Sequence, residues 1–176
     1  MYFVEDKNFL NVSQKKFLER ILIDDFLDFR LASSAVKPKD GGYHFIHHAL
    51  ISDDRPYQLK QNQKQSKYFE SFKNILKSFC DKNYIQLNNV IRTAVNITFN
   101  SNVEKCPIHV DHDFSHKQVI LYLNDAPGDT IICDNNHEPK IVSKPEKFKA
   151  ICFGSQPHYH YFPHHGIRGV VVYTFN

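Results

Sequence analysis

The chain has 176 residues, enough for one well-buried domain and too few for two of ordinary size. Its composition, 41% hydrophobic with 15 Phe and 9 Tyr, excludes a disordered chain and predicts a globular, aromatic-rich protein. The net charge of +3 is too small to indicate nucleic acid as a partner by itself.

The cysteines and the N-terminal segment favour a soluble protein of the cytoplasm. No two of the four cysteines form a CxxC pair, so neither a zinc ribbon nor a disulfide framework is predicted; they are Cys80, Cys106, Cys133 and Cys152. The first residues, "MYFVEDKNFLNV", lack the basic region and apolar core of a signal peptide. No apolar run reaches the length of a membrane span, so we expect no membrane partner.

Two amphipathic helices are predicted in the first half of the chain. The first follows from apolar residues at helical spacing, which are Phe17, Leu18, Ile21, Leu22 and Phe26. The second lies behind a candidate cap at Ser66, and its apolar residues are Phe69, Phe72, Ile75, Leu76 and Phe79. Between the helices "YHFIHHALI" predicts a strand, and the rest of the segment from 37 to 67 predicts a polar loop that is a candidate lid.

From Val90 onward the chain has the period-two pattern of strands. One face of the first strand is apolar and the other, predicted to be wet, consists of Arg92, Ala94, Asn96 and Thr98. Six further strands are predicted at 118–124, 130–134, 140–143, 149–153, 158–162 and 169–175, with a Pro-Gly turn in "DAPGDT". Many short strands separated by turns predict an antiparallel sandwich or barrel, with the helices covering one sheet.

A polar segment, "PIHVDHDFSHKQVILYLN" at 107–124, precedes one of these strands. In an extended chain, residues two apart point to the same side, so His109 and Asp111 present an imidazole and a carboxylate together. His158 and His160, on a strand near the C-terminus, offer a third ligand, and alternation does not separate them. Two imidazoles and one carboxylate form the triad that binds non-haem Fe(II) and leaves coordination positions open.

Arg168 follows the two C-terminal histidines at a distance that suits the next strand. Its planar guanidinium can hold a carboxylate through two parallel hydrogen bonds, which a lysine cannot do. A dicarboxylate co-substrate would therefore suit a site that contains Arg168.

These motifs, in this order, resemble the 2-oxoglutarate- and Fe(II)-dependent dioxygenases, specifically the prolyl-4-hydroxylase-like branch. The resemblance covers roughly residues 90 to 176 and rests on the HxD motif, the "VILYLN" strand, the "PGDT" turn, and a distal histidine followed by Pro163, Gly166 and Arg168. The resemblance implies a mostly β protein with N-terminal helices (α+β), whose core is a double-stranded β-helix of the jelly-roll type. We expect one dioxygenase domain, with residues 1–89 as helical support and substrate-side segment and residues 90–176 as metal-binding β core.

The same resemblance implies the site residues and the cofactors. His109, Asp111 and a distal histidine would bind Fe(II), and spacing to Gly166 and Arg168 favours His158, with His160 as the alternate. Arg168 and Tyr122 would bind 2-oxoglutarate, with Asn96 and Thr98 as weaker pocket candidates, and no further catalytic residue is implied. The implied reaction consumes O2, decarboxylates 2-oxoglutarate to succinate, and hydroxylates a C–H bond of a peptide, amino acid or small molecule; ascorbate is a further candidate cofactor.

Two alternatives stay open. A cupin-like module could hold a metal without catalysis, although the early HxH motif and following glutamate of cupins are lacking. A nucleic-acid-oxidising dioxygenase is less favoured because Thr174 stands where those enzymes carry a second arginine, yet a basic loop with Lys60, Lys64 and Lys67 could meet phosphates. His112, Asp113 and His116 are interpreted as outer or surface groups, and Cys106 as a buried apolar residue.

Overall fold

The computed structural model describes residues 1–24, 27–33, 43–51, 64 and 66–176. These residues form two helices and a set of antiparallel strands, so the predicted mostly β fold is confirmed. In chain order the elements are β1 (Phe3–Asp6), α1 (Val12–Ile21), β2 (Arg30–Ser33), β3 (His44–Ile51), α2 (Phe69–Lys82), β4 (Val90–Phe99), β5 (Lys117–Tyr122), β6 (Thr130–Cys133), β7 (Pro139–Ser143), β8 (Ala150–Phe153), β9 (His158–His160) and β10 (Ile167–Phe175). No helix within these ranges is long and apolar enough to cross a membrane.

The strands form two sheets. The large sheet has seven strands in the order β1-β8-β5-β10-β4-β3-β2, and the small sheet has three in the order β7-β6-β9. All the pairings are antiparallel. Residues 1–89 supply both helices and also β1, β2 and β3, so the first half of the chain contributes strands as well as support.

Both helices cover the outer face of the large sheet. A cluster of buried side chains joins Leu18 of α1 and Phe72 of α2 to Leu121, Val95 and Val171 on three adjacent strands. Burial of this apolar surface, at about 25 cal/mol per Å², is what holds the helices against the sheet.

The helix boundaries differ slightly from the prediction. Helix α1 begins behind Asn11, whose side chain and that of Gln14 form a reciprocal capping box. Helix α2 begins at Phe69, so Ser66 is not its cap residue, although its hydroxyl accepts a hydrogen bond from the Tyr68 N–H. Phe26 lies outside the described residues, as does most of the predicted lid, at 37–42, 52–63 and 65.

Strand β4 occupies the predicted residues, but its polar face is not exposed to solvent. Arg92, Ala94, Asn96 and Thr98 point between the two sheets, and Ala94 and Thr98 are each only 4% exposed. These polar residues face other charged and polar groups that lie between the two sheets. Alternation therefore located the strand and assigned the environment of one face wrongly.

The inner face of the large sheet packs on the small sheet through a second apolar cluster. Ile120, Phe153 and Val170 of the large sheet meet Ile132 of β6 there. At one end of this layer lie the histidines of the 109–116 segment, and at the other end lies Arg168. Candidate site residues thus occupy the inside of the sandwich on both sides of its apolar contact.

Candidate metal centre

His109 and His158 are brought together by main-chain pairing. The N–H of each donates to the carbonyl of the other, at 3.0 and 2.9 Å, in an antiparallel bridge. A second bridge, Lys105 to Tyr161, extends this pairing, so residues 105–109 lie along the free edge of β9. The two imidazole centroids are 4.4 Å apart as a result.

Asp111 completes a cluster of three metal-ligating side chains. One ligand atom from each of His109, Asp111 and His158 lies within 4.8 Å of the others. His160, two residues beyond His158, is not part of this group. The geometry therefore places His158, the preferred of the two distal histidines, beside His109 and Asp111.

Hydrogen bonds set the tautomers of both histidines. Nδ1 of His109 lies 2.9 Å from the carbonyl of Pro107, and Nδ1 of His158 lies 3.1 Å from the carbonyl of Gln156. A carbonyl only accepts, so each Nδ1 carries a proton and each Nε2 is the nitrogen left to bind a metal. Burial, followed by the nearby His109, lowers the pKa of His158 to about 4, which keeps its ring neutral.

Asp111 is held in its ionised form. Its Oδ1 accepts a hydrogen bond from Nη1 of Arg92 at 3.1 Å, and both side chains are nearly buried. Burial alone would raise the pKa of Asp111, but Arg92 and then the surrounding histidines outweigh it and hold the pKa well below its usual range. Two imidazoles that each present Nε2 and one carboxylate are a donor set that suits Fe(II).

Arg168 is a buried cation at the other end of the site, 3% exposed. Its Nε donates to the carbonyl of Gly128 at 2.9 Å and its Nη2 to Thr130 Oγ1 at 2.8 Å. Within the described ranges no carboxylate forms an ion pair with it. Burial lowers the pKa of Arg168, and a buried guanidinium of this kind is stabilised by an anionic partner such as a carboxylate.

Tyr122 lies beside Arg168, in agreement with what the family resemblance implies. Its hydroxyl donates to Thr130 Oγ1 at 2.8 Å, and the guanidinium carbon of Arg168 lies 5.7 Å from its ring centre. Thr130 and Gly128 were not predicted as site residues. The only signal for them is their place in the "PGDT" turn, whose partners lie some forty residues away.

The two weaker candidates take different positions. The Thr98 hydroxyl donates to the main-chain oxygen of Arg168 at 3.4 Å, so it contacts the strand that carries the guanidinium. Asn96 opposes Val170 across the sheet, and within the described ranges its buried Oδ1 has no hydrogen-bond partner. Its inward position is compatible with the predicted pocket role, which stays a prediction.

Residues around the histidine cluster form a packed outer layer. Nε2 of His112 lies 2.8 Å from the hydroxyl of Thr174, and the Gln118 amide nitrogen lies 3.3 Å from the His158 ring. His116 packs edge-on against His112, whereas Asp113 is exposed. Arg92, Gln118 and Thr174 were not predicted here, because their contacts depend on strand register.

Cys106 is buried and contacts His160 rather than the cluster of three. Its Sγ lies 3.2 Å from Nδ1 of His160 and accepts the His160 main-chain N–H at the same distance. Burial raises the pKa of the Cys106 thiol to about 11. Burial and then the proximity of Arg168 lower the pKa of His160 well below its usual range, so this ring is also neutral.

Comparisons with known proteins find the same architecture in solved structures. No family model and no curated protein matches the sequence. A 2OG-Fe(II) oxygenase family oxidoreductase from Burkholderia pseudomallei matches with a TM-score of 0.75 at 14% identity, over 99% of this chain and 84% of that one. A prolyl hydroxylase from Trichoplax adhaerens, in complex with a hypoxia inducible factor peptide fragment, matches at 0.63 and 16%, over 98% and 83%. A Pseudomonas putida prolyl-4-hydroxylase matches at 0.60 and 14%, over 99% and 92%.

The chain has the fold of the 2-oxoglutarate- and Fe(II)-dependent oxygenases. The predicted jelly-roll-like core is thereby confirmed over almost the whole length of the chain. At these levels of identity the likeness concerns the fold. The chemistry has to be argued from the residues that the fold brings together.

Proposed function

We propose that this protein is an Fe(II)- and 2-oxoglutarate-dependent oxygenase that hydroxylates a C–H bond of a peptide, amino acid or small molecule. The proposal rests on one observation. A His-Asp-His cluster and a buried arginine that has no carboxylate partner within the described residues lie at opposite ends of the space between the two sheets. The fold shared with oxygenases supports the same reaction class. A similar structure contains a peptide, which makes peptides one of the candidate substrate classes.

The spacing within the small sheet suits a short diacid. Strand register pairs Ile132 with His158 and Thr130 with His160, and Thr130 binds the guanidinium of Arg168. Two residues along a strand span about 7 Å, so the level of His158 and the level of Thr130 and Arg168 are about the length of one short molecule apart. 2-Oxoglutarate, with a keto acid at one end and a carboxylate at the other, would reach both levels.

Each residue has a distinct role in this proposal. Nε2 of His109 and of His158, with the Asp111 carboxylate, would hold the iron, and Arg92 would keep that carboxylate ionised and oriented. Arg168, with Tyr122 beside it, would bind the far carboxylate of 2-oxoglutarate. When bound, the iron and the co-substrate supply oxygen activation, in which O2 and 2-oxoglutarate give succinate, CO2 and one oxygen atom for the substrate.

The division of the chain follows the same logic. Residues 90–176 would form the metal-binding core, since all the proposed ligands lie there, and residues 1–89 would support the large sheet and border the substrate. We propose that the whole chain acts as one dioxygenase domain. The described residues of the first half pack on the large sheet and also supply three of its strands, which supports a single domain.

The experiment is turnover of 2-oxoglutarate labelled at C1, with Fe(II) and ascorbate and without added substrate. We expect the wild-type protein to release labelled CO2 and the Asp111→Ala variant to release almost none, because it lacks one of three ligands. Asp113→Ala is the matched control, since Asp113 is exposed on the same segment and should be dispensable. Turnover that survives Asp111→Ala would contradict the assignment.

The nucleic-acid alternative gains little support from the predicted basic loop. Lys60 lies outside the described residues, Lys64 forms an ion pair with Glu70, and Lys67 lies over the ring of Tyr68. Oligonucleotide binding measured by fluorescence anisotropy across a salt series tests it directly. Binding that weakens steeply with salt would favour that alternative.

A further inference from the structure

His160 lies on the inner side of the small sheet, and one of its ring nitrogens has no hydrogen-bond partner among the described residues. It lies on the same face of β9 as His158 and pairs across the strands with Thr130. Its Nε2 is buried, and among residues 1–24, 27–33, 43–51, 64 and 66–176 no group forms a hydrogen bond with it. The rings of Tyr43 and Phe162 pack around the imidazole, at centroid distances of 6.4 and 5.2 Å.

The contact with Cys106 decides which nitrogen of His160 carries the proton. A thiol is protonated at neutral pH and has one hydrogen to donate. The sulfur of Cys106 already accepts the main-chain N–H of His160, and it lies 3.2 Å from Nδ1. An imidazole nitrogen is a stronger acceptor than a thiol sulfur, so the S–H donates to Nδ1. With Nδ1 acting as the acceptor, the ring proton is on Nε2, which is a donor.

The position of His160 identifies the acceptor. The hydroxyl of Thr130, its cross-strand partner, accepts a hydrogen bond from Nη2 of Arg168. His160 therefore lies at the same level of the sheet as the guanidinium, two residues along β9 from the proposed metal ligand His158. Two of the N–H groups of Arg168 are already donated to Gly128 and Thr130, while a buried carboxylate has about four lone-pair sites to satisfy.

We propose that Nε2–H of His160 donates a hydrogen bond to the far carboxylate of 2-oxoglutarate beside Arg168, and that Cys106 is the positioning residue that fixes this tautomer. The inference rests on the proposed function, because it assigns one more residue to the co-substrate site. His160 then contributes to selection of a dicarboxylate over a keto acid that lacks the second carboxylate. Cys106 acts on the co-substrate only through His160.

The tautomer can be tested without metal or co-substrate. Long-range 1H–15N correlation spectra of the imidazole nitrogens should place the proton of His160 on Nε2 in the wild-type protein. Cys106→Ser, which keeps a donor, should preserve this tautomer, and Cys106→Ala should give a mixture of the two. A wild-type ring protonated on Nδ1 would overturn the inference, whatever the fate of the proposed function.

The co-substrate contact is tested by calorimetric titration of the Fe(II)-loaded protein under argon. We expect His160→Phe to weaken 2-oxoglutarate binding about tenfold or more, because hydrogen bonds to charged groups are stronger than neutral ones. His160→Gln keeps an N–H near the same place and should recover most of the affinity. For 2-oxopentanoate, which lacks the far carboxylate, wild type and His160→Phe should bind alike.

The outcomes separate this inference from the proposed function. Two results would refute the role of His160 alone. One is equal affinity of wild type and His160→Phe for 2-oxoglutarate, and the other is an equal loss of affinity for 2-oxoglutarate and 2-oxopentanoate in His160→Phe. Wild-type protein that binds no 2-oxoglutarate would refute the proposed function and the contact together. The Fe(II) affinity of each variant is the folding control, since His109, Asp111 and His158 are unchanged in all of them.

Discussion

Gly128 stands where the main chain approaches the cationic end of the site most closely. Its φ of +102° is a conformation that residues with a Cβ rarely adopt. A Cβ added there would lie 2.5 Å from the main-chain oxygen of Tyr161 and 3.2 Å from Cδ of Arg168. Glycine therefore lets the "PGDT" turn offer its carbonyl to the guanidinium.

Gly128→Ala should lower the free energy of unfolding by about 3 kcal/mol or more, since strain at φ and overpacking add. It should also weaken 2-oxoglutarate binding, because Arg168 has to move. Gly166→Ala is the matched control: φ is +66° there but nothing lies within 4 Å, so about 1–2 kcal/mol of strain is the whole effect. Urea unfolding followed by circular dichroism compares the two, and equal losses would contradict the role of close contact.

At the residue scale, the sequence predicts the side chains whose chemistry is distinctive and does not predict those whose contacts depend on strand register. His109, Asp111, His158, Tyr122 and Arg168 were predicted, and they lie on the inside of one sandwich. Thr130 and Arg92 were not assigned, because a threonine or arginine in a strand is informative only once its neighbours across the sheets are known. Those neighbours are Arg168 and Asp111, 38 and 19 residues away in sequence.

At the scale of elements, α1 shows how a local motif fixes a helix start. Asn11 Oδ1 accepts the main-chain N–H of Gln14 at 2.9 Å, and Gln14 Oε1 accepts that of Asn11 at 3.0 Å. Gln14 also donates to the hydroxyl of Ser78 on α2, at 2.8 Å. The same cap therefore starts one helix and joins it to the other.

Asn11→Ala should lower the free energy of unfolding by about 1 kcal/mol, because it removes the acceptor for the helix N-terminus. Asn11→Asp keeps an acceptor and should stay close to wild type. Lys16→Ala changes an exposed position of the same helix and serves as the control. Should thermal unfolding find no difference between Asn11→Ala and Lys16→Ala, the cap contributes nothing to stability.

The end of β1 is attached to the end of α2 through Asp6. Its carboxylate accepts hydrogen bonds from the Asn8 main chain at 2.6 Å, Lys82 Nζ at 3.0 Å and the Asn83 amide at 3.1 Å. Burial works to raise the pKa of Asp6, but these donors outweigh it and hold the pKa below its ordinary value. Folding therefore favours the ionised form of this carboxyl group.

This linkage predicts a specific pH dependence. A depressed folded-state pKa contributes stability above the unfolded pKa of about 3.9, and this contribution is lost as pH falls through the folded value. Asp6→Asn should be less stable than wild type at pH 7, and the difference should shrink as the solution is acidified below pH 4. Denaturant unfolding across this range measures it, and a constant difference would contradict the assignment.

The strands show where the sequence pattern is sufficient to predict a strand and its environment, and where it is not. Strand β4 was predicted from alternation, and β5 to β10 were predicted from short strand-like runs separated by turn residues. Strands β1 and β2 were missed: each has four residues, both lie at the edges of the large sheet, and pairing with β8 and β3 is what defines them. Arg92 and Asn96 on the polar side of β4 face the space between the sheets. Alternation alone cannot distinguish such a polar interior from solvent.

At the scale of the whole molecule, the site joins parts of the chain that depend on one another. The cluster of His109, Asp111 and His158 links the 105–111 segment to β9 and, through Arg92, to β4 in the large sheet. Arg168 links β10 to Gly128 in the turn before β6 and to Thr130 at the start of β6. The two sheets therefore meet through polar contacts at both ends of their apolar layer, and a ligand that bridges the ends would couple them further.

Metal binding should therefore stabilise the fold as a whole. A ligand at about one hundred times its dissociation constant adds about 2.7 kcal/mol, or roughly 5–10 °C in Tm for a chain of this size. We expect Fe(II) under argon to raise the Tm of wild type and of Asp113→Ala to this extent, and chelation to reverse it. Asp111→Ala should show almost no shift, because two imidazoles alone bind weakly. A shift retained in Asp111→Ala would mean that the metal is held by other groups, and the coupling of the two sheets through this cluster would be wrong.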